Sequence, residues 1–221
     1  MAQPNFPRAG QGLSTESLWD YVVANQRLLT YIGGAVVVAA GVVLFWRESV
    51  NVRNTRAQSA FESAQQAFYA GNLPLAKSDL DKLISRYGNT PGGVQATMLL
   101  AQILYGEGKY DDGIRRLQGA QGQRAAHRFA ASVEELLAAG YVDTKRYDEA
   151  VSHFLAAAQK AAFEADRDSY LAEAARVYQL AGKTAEARKI WAQQAEDIES
   201  PAMSEARVRL GEIDAKAAVK N

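Results

Sequence analysis

Histidine occurs only at His127 and His153, and cysteine does not occur at all. Without cysteine the chain has no thiol nucleophile, no thiolate metal ligand, no disulfide and no lipid-modified cysteine anchor. Neither histidine belongs to a His-Glu-x-x-His pair, and His153, between Ser152 and Phe154, reads as a packed or surface side chain. Neighbouring carboxylates, the other candidates for acid–base work, stand at Asp111 and Asp112 and at Glu134 and Glu135. The first pair falls where a helix is expected to begin, a place that favours acids through the helix dipole. The second reads as a solvated helix face. Gly106, Glu107 and Gly108 form a helix turn rather than a phosphate loop, because no Gly-Lys-Ser or Gly-Lys-Thr follows in frame. The residues therefore predict no enzyme, no catalytic or metal site, no cofactor and no small-molecule substrate.

What the chain has instead is an anchor and a surface. Residues 28–46, LLTYIGGAVVVAAGVVLFW, are 19 residues without a charge, close to the roughly 20 that carry a helix across a bilayer. Trp19, Tyr21 and Tyr31 bracket one end and Phe45 and Trp46 the other, as rings do at headgroup level. A cleaved signal peptide is the rival reading. The apolar run is longer than the usual h-region of about 7–15 residues and ends in Phe-Trp-Arg-Glu rather than small-x-small. The 27 residues before it carry only Arg8 and Arg27 as bases, with Glu16 and Asp20 among them. An uncleaved transmembrane helix through the lipid bilayer is expected. Ahead of it, Pro4, Pro7, Gly10 and Gly12 suit a mobile tail, and Ser14 or Ser17 is placed to cap a short amphipathic helix containing Leu18, Trp19, Val22 and Val23. The expected organisation is tail and short helix over 1–27, transmembrane helix over 28–46, juxtamembrane linker over 47–56, and one domain over 57–221.

From Ala57 onward the chain carries 20 Lys and Arg against 22 Asp and Glu. So even a balance gives no basic footprint for nucleic acid. Within this region four segments align: 70–76, 107–113, 144–150 and 181–187. Their turn positions, Gly71, Gly108, Lys145 and Gly182, recur every 37 residues. Five residues on stands a small residue each time (Ala76, Gly113, Ala150, Ala187), and four further a bulky one (Leu80, Leu117, Phe154, Trp191). Seven before the turn stand Ala64, Ala101, Ala138 and Ala175, and four before it Ala67, Leu104, Tyr141 and Tyr178. Small residues let two antiparallel helices approach, bulky ones fill the groove beside the contact, and glycine ends the first helix in a left-handed turn.

The order of these positions resembles the tetratricopeptide repeat, whose usual period is shorter by three residues. Each linker is therefore expected to be longer, the first being Tyr-Gly-Asn-Thr-Pro-Gly-Gly over 87–93. The predicted fold is all-α: a single transmembrane helix, then a tetratricopeptide-like helical-pair solenoid of about four repeats. A cap over 201–219 closes it, with Ser200 as N-cap, Pro201 at the first helical position, and Met203, Val208, Leu210 and Ile213 on its apolar side. Carrying the family's groove positions onto this frame gives a partner-binding surface of Gln58, Phe61, Gln65 and Phe68 from the first repeat and Gln95, Met98, Gln102 and Tyr105 from the second. Amides and rings in matching registers suit an extended peptide or a partner helix.

The likeness extends past the repeat. Leu-Trp-Asp-Tyr-Val-Val-Ala-Asn, one span ending at Trp46, Tyr-Gly-Asn-Thr, and the closing Gly-Lys-Thr-Ala-Glu-Ala-Arg-Lys-Ile-Trp with Ser-Pro-Ala-Met-Ser-Glu resemble the single-span tetratricopeptide family of ancillary Sec translocon subunits. That resemblance implies a bacterial inner-membrane scaffold with a cytoplasmic N-terminus and a periplasmic repeat domain. Its partners would be translocon subunits, envelope chaperones or an exported client. In this chain the tail is rich in Pro and Gly and poor in acid. Arg8 and Arg27 before the span face Arg47, Arg53 and Arg56 after it, a slight vote for the opposite orientation. The alternative reading is a structural or assembly subunit of another membrane or envelope complex.

Overall fold

The computed structural model describes residues 23–220, and among them every regular element is helical. The expected tail, and most of the short helix from Ser14, lie outside the described residues. The chain divides into two units, Met1–Val52 and Arg53–Asn221. Helix α1 (Gln26–Tyr69) contains both the apolar stretch and the first helix of the repeats, and residues 47–56, expected as a linker, are helical within it. In the first unit no part of its apolar window is buried in protein. Val36, Val37, Val38, Phe45 and Trp46 are all exposed. The helix is long and apolar enough to cross a membrane, a property that signal sequences share.

In the second unit the pairs follow in order. The end of α1 pairs with α2 (Leu73–Tyr87), α3 (Pro91–Gly106) with α4 (Tyr110–Gln121), α5 (Ala130–Asp143) with α6 (Tyr147–Lys160), and α7 (Glu164–Leu180) with α8 (Thr184–Glu196); α9 (Met203–Lys220) follows. All four turns close in one way. The amide of Gly71 donates to Phe68 O and that of Asn72 to Ala67 O; the same two bonds recur at Gly108 and Lys109, at Lys145 and Arg146, and at Gly182 and Lys183. This paired bonding satisfies the last carbonyls of the first helix and requires a left-handed residue between. The φ angles at Gly71, Gly108 and Gly182 are +76°, +74° and +74°, and Lys145 adopts +60° where the other repeats have glycine.

The aligned columns form the core. Ala64, Ala101, Ala138 and Ala175 are buried, as are Ala76, Ala150 and Ala187 and the bulky column Leu80, Leu117, Phe154 and Trp191. One apolar cluster joins α1, α2 and α3, a second runs through the middle two repeats to α7, and a third joins the last repeat to α9. The linkers differ more than one period suggests. The first shrinks because Thr90 caps α3, its hydroxyl accepting from Gly93 N, with Pro91 at the first helical position. Gly92 and Gly93 are therefore helical, and Gly92 packs so closely on Ala57 that a Cβ would come within 2.9 Å of its carbonyl. The second linker holds a 3-10 turn, Arg124–Phe129, which the period did not reveal. The cap begins two residues later than expected. Ser200 accepts from Ala202 N at 3.3 Å, and Pro201 and Ala202 form a turn before α9.

Gly113 answers to a specific neighbour. The Tyr105 ring lies over it, and a Cβ at Gly113 would press into Cε1 and Cδ1 of that ring. The far end of the ring reaches Gly140 on α5, where the Tyr105 hydroxyl donates to Leu136 O at 3.0 Å. A Cβ at Gly140 would lie 2.7 Å from Tyr105 Cζ and 2.8 Å from Ile114 Cγ1. Gly140→Ala should therefore cost about 1–2 kcal/mol by overpacking, read as a lower denaturant midpoint. Most of that loss should vanish in a Tyr105→Leu background, because the two sites share one contact; an equal loss in both backgrounds would mean that the ring is not what the methyl meets.

Candidate partner-binding surface

Solenoids of paired helices present the first helix of each pair along an inner face. Here those helices are the end of α1, then α3, α5 and α7. Of the eight residues expected there, Gln58 and Gln102 are exposed, and Gln65, Phe68, Gln95, Met98 and Tyr105 are half-buried. Phe61, only 8% exposed, belongs to the first apolar cluster. Tyr105 is engaged by Gly113, Gly140 and Leu136 O, so as it stands it joins adjacent repeats rather than facing a ligand. Phe68 and Met98 pack along cluster edges. The Gln58 amide donates to Glu62 at 3.1 Å, while among the described residues the amides of Gln65, Gln95 and Gln102 make no protein hydrogen bond.

Stepping each column on by the repeat period reaches α5 and α7. Gln58 and Gln95 are followed by Ser132 and Ser169, Phe61 and Met98 by Glu135 and Ala172, and Gln65 and Gln102 by Ala139 and Arg176. Phe68 and Tyr105 are followed by Val142 and Gln179. The face thus loses its aromatic rings after the second repeat and gains one charge in each of the last two, Glu135 and Arg176. Between α5, α7 and the turn before α9 lies an open cavity of about 250 Å³, with Glu135, Ser169, Tyr170, Glu173, Arg176 and Glu205 among its lining. Arg176 is its one cation, and that side chain bonds both Glu173 and Glu205. The Tyr170 hydroxyl donates to Glu135 Oε2 at 3.4 Å. Burial pushes the Glu135 carboxyl up; the Tyr170 hydrogen bond opposes this, and the like charges of Glu173 and Asp166 add to it.

The other member of that carboxylate pair is no solvated face. Glu134 is 2% exposed. Its carboxylate accepts from Gln121 Nε2 at 2.8 Å, meets His153 Nδ1 at 2.6 Å and pairs with Lys160 Nζ. His153 in turn stacks on Tyr141, ring centroids 5.2 Å apart, and the Tyr141 hydroxyl accepts from Gln118 Nε2 at 3.0 Å. The network joins α4, α5 and α6, and so ties the second repeat to the third. Burial acts most strongly on Glu134 and opposes its charge, yet Lys160, His153 and Gln121 together hold its carboxyl below the ordinary range. The signal for this was its column, which elsewhere holds Ala60, Thr97 and Leu171 and therefore points inward. Among the described residues no group of His, Asp and Glu is placed to hold a metal ion.

Successive helix pairs closed by the same turn at a fixed period define a helical repeat protein, a fold of the interaction type. Residues 20–215 match the tetratricopeptide repeat-like domain family, and the chain belongs to it. Its fold is similar to that of the nearly identical TPR-like repeats from Podosopora anserina, whose crystal structure shares 19% identity with a TM-score of 0.58 and covers 72% of this chain and 86% of that one. A point variant of the same repeats gives a TM-score of 0.57 at 19% identity, covering 72% and 85%. No curated protein matches the sequence.

Proposed function

We propose that the chain is a membrane-tethered interaction scaffold ancillary to the Sec translocon, with its N-terminus in the cytoplasm, α1 as an uncleaved anchor and the repeats in the periplasm. The observation that carries this reading is the apolar window of α1, none of which is buried in protein, in a chain whose remaining residues form an interaction fold. Apolar surface of that extent calls for lipid. The sequence likeness described above supports the translocon assignment. Anchoring raises the effective concentration of the repeats beside any partner in the same bilayer, so a weak groove is occupied without high intrinsic affinity. On this reading Gln65, Gln95 and Gln102, with Phe68 and Met98 beside them, bond the backbone and cover the side chains of a translocon subunit, an envelope chaperone or an exported client.

A photocrosslinker at Gln102 in intact inner membranes should trap a translocon subunit or an envelope chaperone, and one at Glu186 should not. In cells with opened outer envelopes, added protease should digest the repeats. Digestion only after the inner membrane is ruptured would place them in the cytoplasm and end the translocon reading. A mature chain beginning after Trp46 would show a cleaved signal in place of the anchor.

A further inference from the structure

We infer that the C-terminal half of the inner face, at the cavity between α5, α7 and the turn before α9, docks a basic side chain of an extended partner segment. The inference rests on the scaffold reading and specifies the chemistry of its partner. Three observations carry it. First, the cavity is where the inner-face columns continue into the last two repeats, so a strand lying along the glutamines reaches it without leaving the face. Second, its charge is unevenly met: Glu173 and Glu205 share Arg176, and Glu205 has Arg209 at 3.4 Å as well, while Glu135 across the cavity is left out of both pairings. Glu135 thus has no basic side chain in ion-pair range among the described residues, and its only polar partner there is the phenol of Tyr170 at 3.4 Å, at the long limit for a hydrogen bond. Third, the lining is mixed. Ala172 and the neighbouring Pro201 and Ala202 supply apolar walls between the carboxylates, which suits a side chain with an aliphatic stem and a cationic head.

The electrostatics fix the sign of the partner. A carboxylate facing the like charges of Asp166 and Glu173 gains from a cation and loses from another acid. Lysine or arginine in an extended segment satisfies Glu135, while the peptide backbone meets Ser169 and the free amides upstream. An acidic segment, or an acidic peptide end, is repelled.

The test uses the full chain in detergent micelles and three fluorescent peptides of one extended sequence differing only in a central residue: lysine, glutamine or glutamate. Anisotropy should rank them lysine, glutamine, glutamate. Glu135→Gln should weaken the lysine peptide roughly two- to fivefold and leave the glutamine peptide unchanged, as expected for a solvent-accessible charge pair. Raising the ionic strength from about 0.05 M to about 0.5 M should remove the difference between the lysine and glutamine peptides. Glu135→Lys should reverse the order of lysine and glutamate. Glu135 is exposed, so both variants should keep the thermal unfolding of the parent, which is recorded for each. Equal binding of the three peptides, or a ranking indifferent to Glu135, overturns the inference. Crosslinking from Gln102 in membranes separates the two levels: a trapped translocon subunit or chaperone with no charge ranking leaves the scaffold standing and removes only the basic specificity, whereas no trapped partner removes both.

Discussion

Trp191→Ala should destabilise the repeat unit by about 3–5 kcal/mol, the largest single loss expected in this chain. Trp191 is 0% exposed and sits in the third cluster among Ala172, Ala175, Ala187, Ala202, Ala206 and Ile213. Five of those six neighbours are alanines, which have no side chain able to collapse into the space left by an indole. Trp191 is the one large side chain fully buried in that seam; Ile213 stands beside it and Tyr178, Ile190 and Leu210 pack at the edge. Trp191→Phe is the informative companion. Among the described residues the indole N–H has no acceptor within hydrogen-bond reach, so phenylalanine forfeits volume but no bond, and Phe154 already holds the equivalent place one repeat earlier. The phenylalanine variant should cost about 1–2 kcal/mol, because the cavity that it leaves is smaller. Urea midpoints with an unchanged slope would report the two losses, and α9 should lose amide protection first in the alanine variant. Equal costs for Phe and Ala would mean that the N–H makes a bond the packing does not reveal.

The architecture was legible because it is periodic. The turn positions name the four left-handed residues, Lys145 included, and the columns name the helix contacts, since one residue of slip would carry the buried alanines into water. What the period did not carry is what differs between repeats. Gly119 and Gly122 announce the end of α4, but the turn at Arg124–Phe129 holds neither glycine nor proline, so nothing local separates it from the helix that follows. Residues 47–56 contain no glycine or proline to stop the helix that enters from the span, and their Ser, Val, Asn and Thr are weak helix formers, so composition and the place beside the span suggested a linker where the helix runs on. The site was less legible than the fold. A groove position copied from one repeat to the next assumes that each repeat has the same neighbours. Phe61 and Tyr105 show that it does not. Tyr105 alone faces glycines at both Gly113 and Gly140, which open the slot that draws the ring inward. The charged character of the last two repeats, at Glu135 and Arg176, emerges from the same columns once they are followed to the end of the chain.

Glu134→Gln should cost about 2–3 kcal/mol at neutral pH, and the loss should disappear in acid. Removing one member of a buried ion pair costs about 3–5 kcal/mol when the remaining charge is stranded. Here the figure is smaller because the Lys160 side chain is 43% exposed and recovers water when its partner is lost. Gln121 and His153 keep a hydrogen-bonding neighbour in the amide, so what the substitution removes is mainly charge. The pH dependence follows from the direction of the shift. The folded-state carboxyl lies below its ordinary value, so ionised Glu134 contributes stability that is complete above the unfolded-state pKa and is lost as the pH falls through the folded one. The parent should therefore weaken steeply below the ordinary carboxylate range, while the glutamine variant, with nothing to protonate there, should be flatter and meet it at low pH. Urea unfolding across that window reads both curves. A gap between them that stays constant with pH would show that Glu134 serves by shape and hydrogen bonding, and that the joint between the second and third repeats does not depend on its charge.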